Sequence, residues 1–179
     1  MEVAFSILFD SAGYNLARKY QLAIREQFQA KETLLLEPHA TIKYAFETNN
    51  LKGIEEYFDQ VAAITKAFEI EFDSISSFEE NNVIFLSIAK SEVLTKLHVK
   101  VLEDLKSKFQ ATQTKFEDPN LHFHTTLAYK DITPETFKTI KVHFKNENIH
   151  QKTSIKQLGL WVRVEPEDKW FLYKIGTLQ

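Results

Sequence analysis

The sequence predicts an α+β fold in which most strands pair antiparallel. Segments with apolar residues at helical spacing are interspersed with short segments that alternate in polarity, and several of the latter are joined by short turns. The strands of a doubly wound parallel fold would instead be near-continuous apolar runs. The chain has 179 residues, of which 44% are hydrophobic and 26% charged, enough for a buried core.

The first half is predicted to run strand, helix, strand, helix. VAFSILF is short and apolar, as a buried strand is, and SAGYN after it is expected to be a turn. Leu16, Tyr20, Ile24 and Phe28 recur every four residues and indicate an amphipathic helix. TLLLEPHATIKYAF is expected to be a strand interrupted near Pro38, because proline cannot donate to the ladder of a sheet. LKGIEEYFDQVAAITKAF carries apolar residues along one helical side.

The second half repeats strands and helices. FEIEFDSIS alternates in polarity, EENN is a turn, and VIFLSIA is a further strand before a leucine-rich helix. Thr133 before Pro134 and Glu135 is typical of a helix start. The predicted elements are strand 3–9, helix 15–30, strand 33–46, helix 51–68, strand 68–76, strand 83–89, helix 91–109, a strand within 120–131, helix 133–144, and strands 154–164 and 169–178.

Composition excludes several classes of function. With a net charge of -3, the chain is not expected to bind long duplex nucleic acid, which requires many phosphates to be neutralised. The absence of cysteine excludes disulfides, thiolate nucleophiles and cysteine-based metal sites. No signal peptide or membrane-spanning run is recognisable, so we expect a cytoplasmic protein without membrane contact. A chain of this size and polarity is expected to be a monomer.

Two of the predicted strands carry the same polar pattern, His-x-Thr followed by an apolar residue. EPHATIKYAF contains HATI, and NLHFHTTLAYKD contains HTTL. Side chains two apart on a strand share a face, so His39 lies beside Thr41, and His124 lies beside Thr126. If the two strands are neighbours, two imidazoles and two hydroxyls converge. The plain alternative is a polar strand face hydrogen-bonded to water.

A converging set of this kind suits phosphodiester chemistry. One neutral histidine can take a proton from an attacking water or hydroxyl, and the other, protonated, can give a proton to the departing oxygen. Each threonine hydroxyl can donate to a non-bridging phosphate oxygen.

The paired motifs and the order of elements resemble the 2H phosphoesterase superfamily, in particular its bacterial 2′-5′ RNA ligase-like and cyclic phosphodiesterase branch. The resemblance covers nearly the whole chain. It implies one domain, residues 1–179, made of two pseudo-symmetric lobes, each an antiparallel sheet with outer helices, around a central cleft. It implies catalytic roles for His39 and His124 and phosphate binding by Thr41 and Thr126. It implies no cofactor and no metal.

Other residues are possible substrate contacts. Lys43 is expected to share the face of His39 and to add a cation to the pocket or reach solvent at its rim. His122 is expected at the cleft edge; as an alternative, His122 and His124 with Asp118 would form a metal site. Lys130 is expected to touch phosphate or to be solvated.

For the remaining candidate residues, structural roles are expected beside or instead of substrate contacts. Trp161 and Arg163 could stack on a base and hold a phosphate, but a plain aromatic cross-strand contact is the preferred interpretation. Tyr129 is expected in the core. The three other histidines are expected at or near the surface: His98, His143 and His150.

The sequence therefore predicts a metal-independent hydrolase that opens a cyclic phosphate or 2′-5′ phosphodiester of a small nucleotide or RNA end. A nucleotide- or RNA-end-binding module with little turnover uses the same residues and stays open. So does the reverse reaction, ligation of RNA ends through a 2′-5′ bond, although abundant water favours hydrolysis. The sequence does not say which histidine is the acid.

Overall fold

The computed structural model describes residues 1–117 and 121–179. Along this part of the chain, helices and strands follow one another much as the periodicities indicate. The elements are β1 (Glu2–Phe9), α1 (Ser11–Phe28), a 3₁₀ helix (Glu32–Leu35), β2 (His39–Glu47), α2 (Leu51–Ile64), β3 (Phe68–Phe78), a second 3₁₀ helix (Glu79–Asn81), β4 (Val83–Ile88), α3 (Glu92–Phe109), β5 (His124–Ala128), α4 (Pro134–His143), β6 (Gln151–Arg163) and β7 (Phe171–Thr177).

The strands form one antiparallel sheet in the order β2-β1-β6-β3-β4-β5, with β7 also paired to β6. The 13-residue strand β6 bonds β1 and, along its length, β3 and β7. The predicted α+β class with antiparallel pairing is confirmed. The two lobes expected from the sequence are joined through β6, so their sheets are continuous.

The strands at the two ends of this order, β2 and β5, lie close together, with Cα atoms within 8 Å of one another. Two helices cross between the halves: α1 contacts β5, and α3 contacts β2. Gln21 of α1 donates to the Thr126 carbonyl at 2.9 Å, and the His98 ring of α3 donates through Nδ1 to the Ile42 carbonyl at 2.6 Å. Each histidine-bearing strand is therefore held by a helix from the other half. The expectation that His98 lies near the surface is wrong, because this contact buries it completely.

Helix α1 begins at Ser11 rather than at the predicted Asn15. Asp10 caps it by accepting from the backbone amides of Ala12 and Gly13, which satisfies donors left free at a helix start. Asp10 also accepts from Thr153, so the cap joins α1 to β6. The SAGYN segment thus belongs to the start of the helix, and its prediction as a turn between strand and helix was wrong.

The strand predicted over 33–46 starts only at His39. Residues before it form the 3₁₀ helix, whose carbonyls bond the Arg18 guanidinium. The apolar run TLLL suggested a strand because its leucines looked buried, but Leu35 is exposed. The other boundaries shift by a few residues, most of all at α2, which ends at Ile64.

Strand β2 contains two irregularities in its register with β1. Val3 pairs with Phe46, Phe5 with Lys43, and the next residue along β1 with Thr41, so β2 carries extra residues between positions 41 and 46. Bulges of this kind change the face to which a side chain points. Lys43 therefore lies on the face of Phe46, whose ring its Nζ approaches to 5.0 Å. The prediction that Lys43 shares the face of His39 was wrong for this reason.

Lys43 forms a buried ion pair with Glu117, at 2.9 Å between Nζ and Oε1. Burial lowers the pKa of Lys43, and the bond to Glu117 opposes that shift. Its ammonium also donates to the carbonyls of Tyr44 and Thr112, and Glu117 accepts from the amides of Tyr44 and Thr114. Both charges are saturated with hydrogen bonds, and the pair fastens the segment after α3 to β2.

Within the described residues, no helix combines the length and the apolar character needed to cross a membrane.

We expect Lys43→Met to lower the free energy of unfolding by about 3–5 kcal/mol, because it leaves a carboxylate buried without its cation. The double variant Lys43→Met/Glu117→Gln removes both charges and keeps an oxygen acceptor for one of the two amides, so it should lose much less than the sum of the losses in Lys43→Met and Glu117→Gln. Urea unfolding followed by circular dichroism measures all three. Lys96→Met is the matched control, since its ion pair with Glu92 is exposed and screened by water. Additive losses in the double variant would show that the pair is not coupled.

Candidate active site

A cavity of about 530 Å³ lies between the two histidine-bearing strands. Both motifs line it, through His39 and Thr41 of β2 and His124 and Thr126 of β5. Its volume falls in the range of small-molecule sites, roughly 300–1,000 Å³. The structure thus brings together the four side chains of the paired motif.

His39 is held on two sides. Its Nδ1 lies 2.7 Å from the Glu37 carbonyl oxygen, and its ring lies against that of Trp161, with 4.4 Å between centroids and 40° between planes. The Trp161 indole is fixed in turn by donating from Nε1 to the Ser6 hydroxyl at 2.8 Å. The half-buried imidazole therefore has a defined position.

His124 is held in a corresponding way. Its Nδ1 lies 2.8 Å from the His122 carbonyl oxygen. Its ring lies against Phe78 and Phe85, with centroid distances of 5.0 and 4.8 Å. The two active-site candidates thus share a backbone bond to the residue two positions earlier but differ in their aromatic neighbours.

These backbone bonds fix the tautomer of both rings. A carbonyl oxygen can only accept, so Nδ1 of His39 and of His124 must carry the proton. In the neutral ring Nε2 then has a free lone pair, and in the charged ring it carries a proton to donate. Each imidazole can consequently act as a base or an acid through Nε2.

Burial makes the charged form of both rings unfavourable. It lowers the pKa of His39, against an opposing effect of the bond to Glu37. Burial likewise lowers the pKa of His124 to about 4, against an opposing effect of the bond to His122. In the free protein both rings are therefore neutral near pH 7.

The other predicted contacts divide into three groups. Trp161, Arg163 and Lys130 line the cavity. Lys43 is buried in its ion pair on the other face of β2. His122 is exposed and lies with its ring 5.4 Å from that of Phe85, outside the set of residues that line the cavity.

The two residues expected to bind a base and a phosphate already have partners. Trp161 is 4% exposed and covers His39, so its face is not open to a base. Arg163 bonds the Glu2 carboxylate, and its guanidinium lies 5.2 Å from the centre of the Trp170 ring. Cross-strand contact, the plainer of the two expectations, describes Trp161.

Several cavity residues were not recognised from the sequence, or were assigned elsewhere. Tyr129 is 40% exposed and lines the cavity, so its predicted place in the core was wrong. Gln21, Tyr44 and Trp170 also line it. Gln21 could have been noticed as a polar residue on the apolar side of a helix, whereas nothing in the sequence marks Tyr44, which the bulges of β2 turn toward the cavity.

Across residues 1–117 and 121–179, no group of three or more histidine, cysteine or acidic residues is arranged to hold a metal ion. Asp118, the carboxylate of the alternative metal site, lies outside the described residues.

Comparison with known proteins identifies the family. Residues 14–167 match the family model described as the 2'-5' RNA ligase superfamily. The chain belongs to this superfamily. The resemblance to 2H phosphoesterases drawn from the paired motifs is thereby confirmed.

Individual relatives agree with this membership. A protein of Geobacillus thermodenitrificans named "Putative phosphoesterase" is 28% identical over 142 residues, which cover 78% of this chain and 77% of the relative. The protein TT0787 of Thermus thermophilus has the same fold at a TM-score of 0.71 and 12% identity, covering 99% of this chain and 98% of its own. E. coli LigT, crystallised with 3'-AMP, matches at a TM-score of 0.60 and 12% identity, over 99% of this chain and 97% of its own.

The lowered pKa of His124 predicts how stability depends on pH. The folded state keeps this ring neutral down to about pH 4, whereas the unfolded chain takes up its proton near pH 6.5. The contribution of the neutral His124 ring to the free energy of unfolding is thus complete above pH 6.5 and is lost as pH falls toward 4. We expect the free energy of unfolding to fall over this window in the wild type and less steeply in His124→Asn.

Urea unfolding at pH values from 7 to 4 measures the slope, and histidine ring NMR follows His124 directly. His143→Asn, at an exposed position of α4, is the control and should keep the slope of the wild type. A His124 ring that titrates near pH 6.5 would contradict the prediction.

Proposed function

We propose that the chain is a metal-independent phosphoesterase that hydrolyses a cyclic phosphate or a 2′-5′ phosphodiester of a small nucleotide or RNA end. The observation that carries the proposal is the pair of imidazoles that line one cavity, each with Nδ1 bonded to a carbonyl and Nε2 left for chemistry. Two threonines beside them supply hydroxyl donors for the non-bridging oxygens of a phosphate.

The aromatic neighbours favour distinct roles for the two histidines. An indole face stabilises a cation better than a phenyl ring does, and His39 lies on Trp161. His124 lies against two phenylalanines, Phe78 and Phe85. His39 is therefore the acid and His124 the base.

With these roles, hydrolysis requires two proton transfers, one to His124 and one from His39. Nε2 of His124 takes a proton from water as the water oxygen bonds to phosphorus. The bond from phosphorus to the ribose oxygen breaks, and Nε2–H of His39 gives its proton to that oxygen. The negative charge of the bound phosphodiester raises the pKa of both rings, so the acid gains its proton when substrate enters.

The relatives support a nucleotide substrate. E. coli LigT, which shares this fold, has been crystallised with 3'-AMP and with ATP. The cavity of about 530 Å³ has the size of a site for such a ligand. Aromatic residues at its walls, Tyr44, Tyr129 and Trp170, offer surfaces for a base.

We expect His39→Ala and His124→Ala each to lower kcat on nucleoside 2′,3′-cyclic phosphates by about 10²–10⁴-fold, the usual contribution of general acid–base catalysis. The assay is run in EDTA, with product separated by chromatography. His150→Ala, at an exposed residue outside the cavity, should keep the activity of the wild type. Activity that survives both active-site substitutions would disprove the mechanism, and loss of wild-type activity in EDTA would indicate a metal.

The roles of the two histidines can be separated with a leaving group that needs no proton. On bis(4-nitrophenyl) phosphate, His39→Ala should lose about tenfold less activity than it loses on a cyclic phosphate, since nitrophenolate departs unprotonated. His124→Ala should lose activity to the same degree on both substrates, because water must be deprotonated in each case. The opposite pattern would assign the acid to His124.

A binding module with little turnover is the second candidate, and one observation favours it. Both histidines are neutral near pH 7 in the free protein, and a neutral pair lacks an acid unless the ligand restores one. Calorimetric titration with a cyclic nucleotide that shows binding, with no product by chromatography, would select this function. A joined 2′-5′ product from RNA ends would select ligation.

A further inference from the structure

The residues that lead into the first motif bridge the two halves of the protein. This bridging segment, residues 31–37, ends with Glu37, whose carbonyl accepts from His39 Nδ1. It lines the cavity through several of its residues. Its contacts therefore determine where the acceptor for His39 lies.

The start of the bridging segment is capped by a residue from the second half. The Asp131 carboxylate accepts from the backbone amides of Lys31 at 2.6 Å and Glu32 at 3.0 Å. Lys31 occupies the cap position of the 3₁₀ helix and supplies no side-chain bond of its own. A residue 100 positions away in sequence thus provides the cap.

Asp131 follows a turn in an uncommon conformation. Its amide donates to the Tyr129 carbonyl at 2.9 Å, and Lys130 between them has a φ of 71°. A lysine rarely adopts this left-handed backbone, and such conformations persist where the surroundings enforce them. The bonds of Asp131 to the bridging segment hold this turn, which also places Lys130 at the cavity.

The rest of the bridging segment is fixed by α1 and β5. Arg18 donates to the Leu36 carbonyl at 2.8 Å and to the Glu37 carboxylate at 3.4 Å. Thr33 donates from its hydroxyl to the carbonyl of Leu127, the last residue of the second motif, at 2.9 Å. The position of the Glu37 carbonyl is consequently set from both sides.

We propose that Asp131 and Arg18 are positioning residues for the reaction: through the bridging segment they fix the carbonyl that sets the ring orientation and tautomer of His39. The inference rests on the proposed catalytic role of His39. His124 takes its carbonyl from His122, which likewise lies two positions earlier, and it serves as the internal comparison. Each ring bonds a nearby carbonyl, and the bonds of Asp131 and Arg18 to the bridging segment act on the carbonyl that His39 bonds.

The test measures the His39 tautomer and the kinetics in the same variants. Two-bond ¹H–¹⁵N correlation of the histidine rings shows which nitrogen carries the proton, and it needs no substrate. In the wild type both active-site rings should carry it on Nδ1. In Asp131→Ala the His39 ring should become a mixture of tautomers while His124 stays unchanged. On a cyclic phosphate kcat should fall about tenfold with little change in KM, as for a misplaced catalytic group.

Two further variants separate positioning from a loss of stability. Asp131→Asn keeps an oxygen acceptor and should therefore keep most of the Nδ1-protonated form of His39 and most of the wild-type kcat. Thr133→Ala removes the cap of α4, a bond to the Thr136 amide, and should leave the His39 tautomer and kcat as in the wild type. Arg18→Lys, which cannot reach several carbonyls at once, should reproduce the effect of Asp131→Ala. If Asp131→Ala does not fold, the His39 tautomer and kcat of Arg18→Lys test the inference.

Folded Asp131→Ala and Arg18→Lys that both keep His39 protonated on Nδ1 would overturn the inference. A loss of kcat in Thr133→Ala equal to that in Asp131→Ala would also overturn it. If the wild type turns over no substrate, the proposed function fails, and the tautomer measurement alone decides this inference.

Discussion

The contact between β2 and β5 is the constraint on which the site depends. These strands stand at opposite ends of the hydrogen-bonded order of the sheet, yet their Cα atoms come within 8 Å. They are bridged by side chains from the opposite halves: Gln21 bonds β5, and His98 bonds β2. A twisted sheet brings its ends toward one another, and these crossing contacts hold them at a separation that leaves a cavity.

The buried ion pair and the two active-site histidines have different surroundings. The Lys43–Glu117 pair is buried, and hydrogen bonds satisfy both groups, as a permanent buried charge requires. His39 and His124 have aromatic neighbours and one backbone bond each. Burial without a counter-charge lowers the pKa of these rings and favours their neutral form. This contrast matches the different tasks of structure and proposed proton transfer.

Much of the fold could be predicted because the strands and helices have clear periodicities. The errors fall where a tertiary contact overrides the local pattern. SAGYN is helical because Asp10 caps it and also bonds β6. TLLL avoids the sheet because its carbonyls bond Arg18. Lys43 changed face because of bulges in β2, which a regular two-residue period cannot anticipate.

The sequence by itself determined which side chains accompany each histidine on its own strand, because the two-residue repeat of a strand is a local property of the backbone. It placed His39 with Thr41 and His124 with Thr126, and the similarity of the two motifs indicated the family. Only the tertiary structure decided that the two strands meet, what holds the carbonyl that His39 bonds and how far burial lowers each pKa. These depend on contacts between residues distant in sequence, such as Asp131 with Lys31, and no local pattern records them.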